Sequence, residues 1–404
     1  MKLENPIREF ARRTGGFLGL NASMLAMIVL VVFLGMGEKM AERFLPLYLV
    51  ALGGSTIAVG SLNAMDNLLS ALYSFPGGWL SDRLGYKRAL ILFTLVAMLG
   101  YLLVILVPAW WAVFVGSLFF ISWTAITLPA VMSMVAKAVP KAKRTMGVTV
   151  HSFVRRIPMA LGPVIGGVLI GALGRVAGIR AAFIAAFVLA AAAILFVQRF
   201  MKDESPGTRR KSGSLLASLR FISPPLRSLL VSDILIRFAE QIPYAFVVLW
   251  VVDVNGQSAL RFGVLTTIEM VTAMAVYLPV AWLADRSTKK PFVLITFGFF
   301  TLFPLVLLAS RTFGMLALAF VVRGLKEFGE PTRKALIMDL APEEAKALTF
   351  GAYYLVRDVI VSAAALSSAF LWNVSPATNF LVAAGCGLLG TAWFALFGKD
   401  AGKA

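Results

Sequence analysis

Charge is scarce in this chain. Only 14% of its 404 residues are Asp, Glu, Lys or Arg, where a soluble protein carries about 25%. Cys386 is the single cysteine, which excludes a disulfide framework and a cysteine metal site. It lies in the last apolar run, where a small buried residue accounts for it. His151 is the single histidine, and a solvated or hydrogen-bonded ring explains it more simply than a proton relay. There is no Walker A loop, nucleophile elbow, catalytic triad pattern or metal-ligand spacing. An ATP-driven pump and a membrane enzyme are therefore not supported, and no cofactor is expected. The net charge of +18 does not indicate nucleic acid, because the chain lacks the soluble basic face such binding needs.

Long apolar runs fill the chain instead. Hydrophobic residues make up 59% of it and mean hydropathy is +0.86. Runs of roughly 20 residues, each enough to cross about 30 Å of hydrocarbon, recur throughout. A β-barrel would show alternating segments of about 10 residues. The pattern predicts an all-α polytopic protein with twelve spans, at 20–50, 55–77, 88–107, 110–136, 147–172, 179–199, 229–253, 260–283, 291–309, 312–338, 347–372 and 377–397. Spans 1 and 10 exceed what a bilayer needs, so tilt or projecting ends are expected. The first run follows Arg8, Arg12 and Arg13 and is too long for a signal-peptide core, so it reads as a retained span.

Basic residues set the orientation. Clusters such as Arg8, Arg12 and Arg13, or Lys141, Lys143 and Arg144, fall in every second connection. The alternate connections hold only Arg175, Arg180, Arg261 and Arg311. The positive-inside rule then predicts that both termini are cytoplasmic, in a plasma membrane, with a bacterial inner membrane favoured. The Pro-, Gly- and Ser-containing basic stretch 199–228 reads as a cytoplasmic linker between two six-helix halves, 1–198 and 229–404.

One charged hairpin repeats. Trp79-Leu80-Ser81-Asp82-Arg83 returns as Trp282-Leu283-Ala284-Asp285-Arg286, each between the second and third span of its half. Such parallel repeats imply duplication around a central cleft. The stretch Gly78, Leu80, Ser81, Asp82, Arg83, Gly85, Lys87, Arg88 resembles the loop signature of the major facilitator superfamily. Tyr86 stands where that family often has a basic residue. In the second copy, Ala281 and Thr288 replace the two glycines. Gly77 and Gly78 allow close helix approach, Gly85 a tight turn, and Asp82 can accept from a helix start and pair with a neighbouring cation. The resemblance implies a pseudo-symmetric twelve-helix transporter that works as a monomer. It also implies that this motif, with Asp285 and Arg286, latches the inner face. The plainer reading is a topogenic loop.

Charges inside spans are costly and face wet or interior surfaces. The interiors of spans 3, 6, 9 and 12 carry none, and the resemblance makes those four the outer scaffold. Glu38, Lys39, Glu42 and Arg43 sit in span 1, Asp66 in span 2, Arg155 and Arg156 in span 5, and Asp233, Arg237 and Glu240 in span 7. Glu269 sits in span 8, Arg323, Lys326, Glu327 and Glu330 in span 10, and Arg357 and Asp358 in span 11. Arg323, Glu327, Glu330 and Lys334 step by four, three and four, which predicts one shared helix face; Asp233, Arg237, Glu240 and Tyr244 predict another. A polar central cavity is expected from Glu38, Arg43, Arg237, Glu240, Tyr244, Arg323, Glu327, Glu330, Arg357 and Asp358. Mutual neutralisation within structural pairs is the alternative for any one of them. Asp66, Glu240, Glu269 and Glu330 are candidates to carry a coupling proton.

Gly162, Pro163, Gly166 and Gly167 in span 5 resemble the tail of the superfamily's antiporter motif, with Pro158 where another glycine is expected. Trp123, Thr124, Thr127, Trp250, Tyr353 and Tyr354 could wall a pocket. The reading is a secondary active transporter of a small charged or zwitterionic solute. It is expected to be proton-coupled, to work by alternating access, and to have the lipid bilayer and the solute as its partners. A proton-driven multidrug or metabolite efflux antiporter is the nearest alternative. A sensor or assembly factor that kept the fold but lost transport is the alternative from another class.

Overall fold

The computed structural model describes residues 22–121, 123, 144–201, 222–284, 287–342 and 346–400. These residues are helical, with no strand among them. Seven of their helices are long and apolar enough to cross a membrane, and an eighth crossing comes from a bent pair. The predicted spans correspond to helices in order. Span 2 is Thr56–Leu84, span 3 Tyr86–Leu106, span 5 Arg144–Leu173, span 6 Arg175–Phe200, span 8 Ala259–Ala284, span 9 Lys290–Ala309, span 11 Lys346–Val374 and span 12 Pro376–Phe397. Span 4 is described as Trp110–Phe120; its remainder, with Thr124 and Thr127, lies outside the described residues, as does linker segment 202–221.

Three spans are not continuous helices. Span 1 ends as Ala22–Glu42 and restarts as Leu45–Ala51. Pro46 has no N–H to give the Glu42 carbonyl. Span 7 runs Pro224–Tyr244, turns, and continues through Val247–Leu249 into a π turn at Trp250–Val254, with a bend of 42°. Pro243 removes one ladder bond just before the break. Span 10 divides into Phe313–Leu325 and Glu330–Leu340, where Pro331 leaves the Glu327 carbonyl without its usual donor. Spans 1 and 10, the two that exceed what a bilayer needs, are thus each divided by a break. The face predicted across Arg323, Glu327, Glu330 and Lys334 is divided by the turn at 326–329. Broken helices are tolerated at membrane depth where they line a cavity or are buried in protein.

The hairpin between spans 2 and 3 is tighter than a loop. Helix Thr56–Leu84 and helix Tyr86–Leu106 meet at Gly85 alone, with φ 82° and ψ 151°. That backbone region is essentially restricted to glycine. The apolar surface is turned outward, as hydrocarbon requires: Leu99, Leu195, Leu388 and Leu396, on spans 3, 6 and 12, are each more than 60% exposed.

The two groups of spans meet along two seams. Span 2 runs against span 11, and span 5 against span 8. At one end of the bundle, Thr56 Oγ1 donates to Asn373 Oδ1 at 2.6 Å. A Cβ on Gly60 would lie 2.8 Å from Ala369 Cβ. Arg175 pairs with Asp253 at 2.6 Å, and Gly167 abuts the Ala259–Leu260 backbone. Farther along the seams, Asn63 Nδ2 donates to the Gln241 carbonyl at 3.1 Å and Thr267 Oγ1 to the Ala160 carbonyl at 2.7 Å. This end is closed by contacts between the N- and C-terminal spans.

Candidate functional site

The breaks in spans 1 and 7 face each other. Between them lies a cavity of about 40 Å³ lined by Glu42, Arg43, Leu45, Pro46, Val59, Leu62, Asn63, Asp66, Ile121, Tyr244, Ala245, Val247, Val248, Phe262 and Arg323. That volume admits water but is well below the several hundred Å³ of a small-molecule site. Its polar groups come from both halves: Glu42, Arg43, Asn63 and Asp66 from spans 1 and 2, Tyr244 and Arg323 from spans 7 and 10. The Tyr244 ring is approached by two guanidinium groups, Arg43 at 5.2 Å and Arg323 at 5.6 Å from its centroid. Both approaches are within cation–π range.

The other intramembrane charges form a packed ionic network in the C-terminal half. Asp233 accepts from Arg333, from Tyr353 Oη at 3.0 Å and from Arg357 Nη1 at 3.4 Å. Glu330 accepts from Arg333 Nη2 at 2.6 Å and Arg237 Nη2 at 3.3 Å. Glu240 accepts from Arg237 and Lys326. Arg357 also donates to Asp358 at 2.7 Å and stacks over Tyr354 at 4.2 Å. Each acid has a basic partner, so the network is nearly neutral by construction. Glu269 pairs with Arg323 at 3.3 Å, both almost fully buried. Glu327 reaches across to Arg156 at 2.9 Å, joining spans 10 and 5. In span 1, Lys39 serves both Glu38 and Glu42.

Of the residues expected in the cavity, Arg43, Tyr244 and Arg323 line it. Arg237, Glu240, Glu330, Arg357 and Asp358 belong to the ionic network, Glu327 to the bridge with Arg156, and Glu38 to the Lys39 pair. Among the proton-coupling candidates, Glu240, Glu269 and Glu330 each have a cation within 4 Å, while Asp66 has only the Ser70 hydroxyl at 3.5 Å and no ion pair among the described residues. Arg333, near the end of predicted span 10, was not among the expected cavity residues, yet it is 1% exposed and among the largest fully buried side chains. Its i+3 spacing from Glu330 was the available signal. Gln241, which ties span 7 to Asn63 and Asn67 of span 2, gave none.

In the repeated hairpin, Arg83 is exposed and lies over Trp79 at 5.3 Å. Lys87 Nζ donates to the Gln198 carbonyl at 3.2 Å, pinning span 3 to the end of span 6, and Arg88 is exposed. The side chains of Gly78 and Asp82, and residues Asp285 and Arg286, lie outside the described residues. So does the His151 side chain. The span 5 glycines form a packing seam. A Cβ on Gly162 would lie 2.8 Å from Lys39 Cβ, and one on Gly166 2.1 Å from the Met40 carbonyl oxygen. Gly263 of span 8 closes on the Pro163 carbonyl. Trp250 is a core residue that donates to the Leu307 carbonyl at 3.1 Å and meets Phe380 edge-on.

The family model for the Major Facilitator Superfamily matches residues 27–252 and again 229–404. No curated protein matches the chain significantly in sequence. Among solved structures, the nucleoside transporter NupG superposes with a TM-score of 0.80 at 13% identity, over 94% of this chain and 100% of that one. A POT family transporter in complex with a thioalcohol-conjugated peptide gives 0.77 at 12% identity, over 93% and 95%. A bacterial homolog of the human lysosomal transporter Spinster, inward-facing and unoccupied, gives 0.70 at 13% identity, over 93% and 95%. At these identities the likeness is one of fold.

Proposed function

The chain belongs to the major facilitator superfamily, and from that premise we propose that it carries a small charged or zwitterionic solute through the cavity at the breaks of spans 1 and 7, by alternating access and with a proton as coupling ion. It is a multi-pass membrane protein of the secondary transporter class. The observation that carries the reading is the lining itself: two broken helices, one from each half, meet at a site whose polar groups come from both. A cavity of about 40 Å³ cannot admit a solute without rearrangement, and the closed seam at Thr56–Asn373 is the part that would part to admit one. Alternating access supplies that movement.

In this reading the halves 1–198 and 229–404 rock about the cavity, joined by the linker 199–228. Both termini are cytoplasmic in a plasma membrane, so the closed end faces outward. The hairpin at Gly85 latches the inner face, and the monomer is the working unit. Asp66 is the favoured proton carrier, because Glu240, Glu269 and Glu330 each already hold a cation. The efflux-antiporter alternative draws less support. The glycines that suggest it are occupied in close packing against spans 1 and 8, which serves any direction of transport.

The test is purified protein in liposomes loaded with a pH-sensitive dye and challenged with anionic, cationic and zwitterionic solutes. Solute-dependent proton movement is expected, absent in empty liposomes and lost in Asp66→Asn. Solute uptake without proton movement contradicts the coupling. Absence of any solute flux contradicts transport and favours a sensor that kept the fold.

A further inference from the structure

Building on that cavity as the solute site, we propose that its ligand is an organic monoanion with an apolar body, held by Arg43 and taken up together with a proton on Asp66. Charge around the cavity can be counted residue by residue. Lys39 is shared by Glu38 and Glu42, and Arg323 pairs with Glu269 at 3.3 Å. Arg43 forms no ion pair or hydrogen bond among the described residues; its guanidinium lies over the Tyr244 ring. Asp66 has only the Ser70 hydroxyl. Arg43 and Asp66 are thus the two charged groups of the lining without an ion pair among the described residues.

Each unmatched charge is costly in a low-dielectric site. An anion on Arg43 alone adds a negative charge to the cavity, and a proton on Asp66 alone adds a positive one. Both together leave its charge unchanged, with Arg43 and Asp66 each satisfied. Anion and proton thus promote one another's binding, a coupling that is reciprocal by linkage. The groups facing Asp66 do not replace the proton. Glu38, Lys39 and Glu42 of span 1 lie nearest in charge, and their single ammonium is already shared by two carboxylates. Arg43, Tyr244 and Arg323 line the same cavity, and Gln241 is engaged by Asn67 at 3.2 Å.

The rest of the wall decides the body of the ligand. Leu45, Val59, Leu62, Val247, Val248 and Phe262 supply apolar surface. Asn63 is the only amide in the lining among the described residues, and its Nδ2 already donates to the Gln241 carbonyl at 3.1 Å. A sugar, nucleoside or peptide backbone would lose its water hydrogen bonds here without replacement. A hydrocarbon or aromatic body with one acidic group would not.

The test is titration calorimetry on the purified protein in detergent, repeated in buffers of different ionisation enthalpy. The probes are hexanesulfonate, hexylammonium and leucine; the sulfonate stays ionised, so any proton taken up goes to the protein. Hexanesulfonate is expected to bind with uptake of about one proton per anion, its affinity falling about tenfold per pH unit across that titration. Arg43→Gln is expected to weaken it at least tenfold. Asp66→Asn should bind it with no proton uptake, whereas Glu38→Gln should keep the uptake. Melting curves confirm that each variant is folded. Leucine binding without hexanesulfonate binding overturns the inference in favour of a zwitterion site and leaves the transport reading intact. Hexanesulfonate binding without proton uptake, binding unaffected by Arg43→Gln, or binding of no probe also overturns it. Solute flux in liposomes remains the separate test of transport.

Discussion

Arg333 of span 10 donates to Asp233 of span 7 in the interior of the C-terminal half, and both side chains are 1% exposed. The pair anchors a network that holds spans 7, 10 and 11 together, while Arg43 and Asp66 at the cavity have no ion pair among the described residues. In the proposed reading, structural and transporting roles fall to two sets of charges that look alike in sequence.

Removing one partner of this pair strands the other. Arg333→Met should destabilise the protein by about 3–5 kcal/mol, the usual cost of breaking a buried ion pair. The double variant Arg333→Met with Asp233→Asn should recover part of that loss. Thermal unfolding in detergent measures both; equal losses in the single and double variants contradict the assignment.

Gly85 is the whole connection between spans 2 and 3, with φ 82° and ψ 151°. Gly85→Ala should cost about 1–3 kcal/mol through backbone strain alone. Gly298→Ala, where an added Cβ meets nothing within 4 Å, should be neutral or slightly stabilising. The two melting temperatures, taken side by side, check this.

The seam between spans 1 and 5 positions the cavity. A Cβ on Gly166 would lie 2.1 Å from the Met40 carbonyl oxygen, and backbone cannot yield as a side chain can. Gly166→Ala should push span 1 away, displace Glu42 and Arg43, and reduce solute flux at least tenfold. Gly171→Ala, where nothing lies within 4 Å, should transport as the parent does. Equal flux in both variants contradicts the seam's role.

Much of this was legible in sequence, and the reasons are physical. Apolar run length marked the spans because hydrocarbon thickness fixes it, and Gly85 signalled its turn because few residues tolerate that backbone. Intramembrane charge marked the interior, since no other surface accepts it. The division of those charges was not legible. Glu240 and Asp66 are both carboxylates inside apolar spans, and both stood as candidates for the coupling proton. The fold adds Lys326 to the Arg237 that already neighbours Glu240, and among the described residues it gives Asp66 no ion pair. Periodicity also misled at span 10, where it assumed a continuous helix. The run Gly329-Glu330-Pro331 carried the contrary signal, a flexible residue followed closely by one without an N–H. Arg333 was passed over because basic residues near span ends usually face water, and Asp233, which it meets, is 100 positions away in the chain.

The most direct test of the central claim is the distance between spin labels at Thr56→Cys and Asn373→Cys, in a Cys386→Ala background, measured by pulsed electron spin resonance in liposomes. In this structure the two side chains share a hydrogen bond of 2.6 Å. Alternating access predicts two populations, one short and one longer, whose ratio shifts with pH and with added solute. A single short distance under every condition, in protein that still transports, would contradict it.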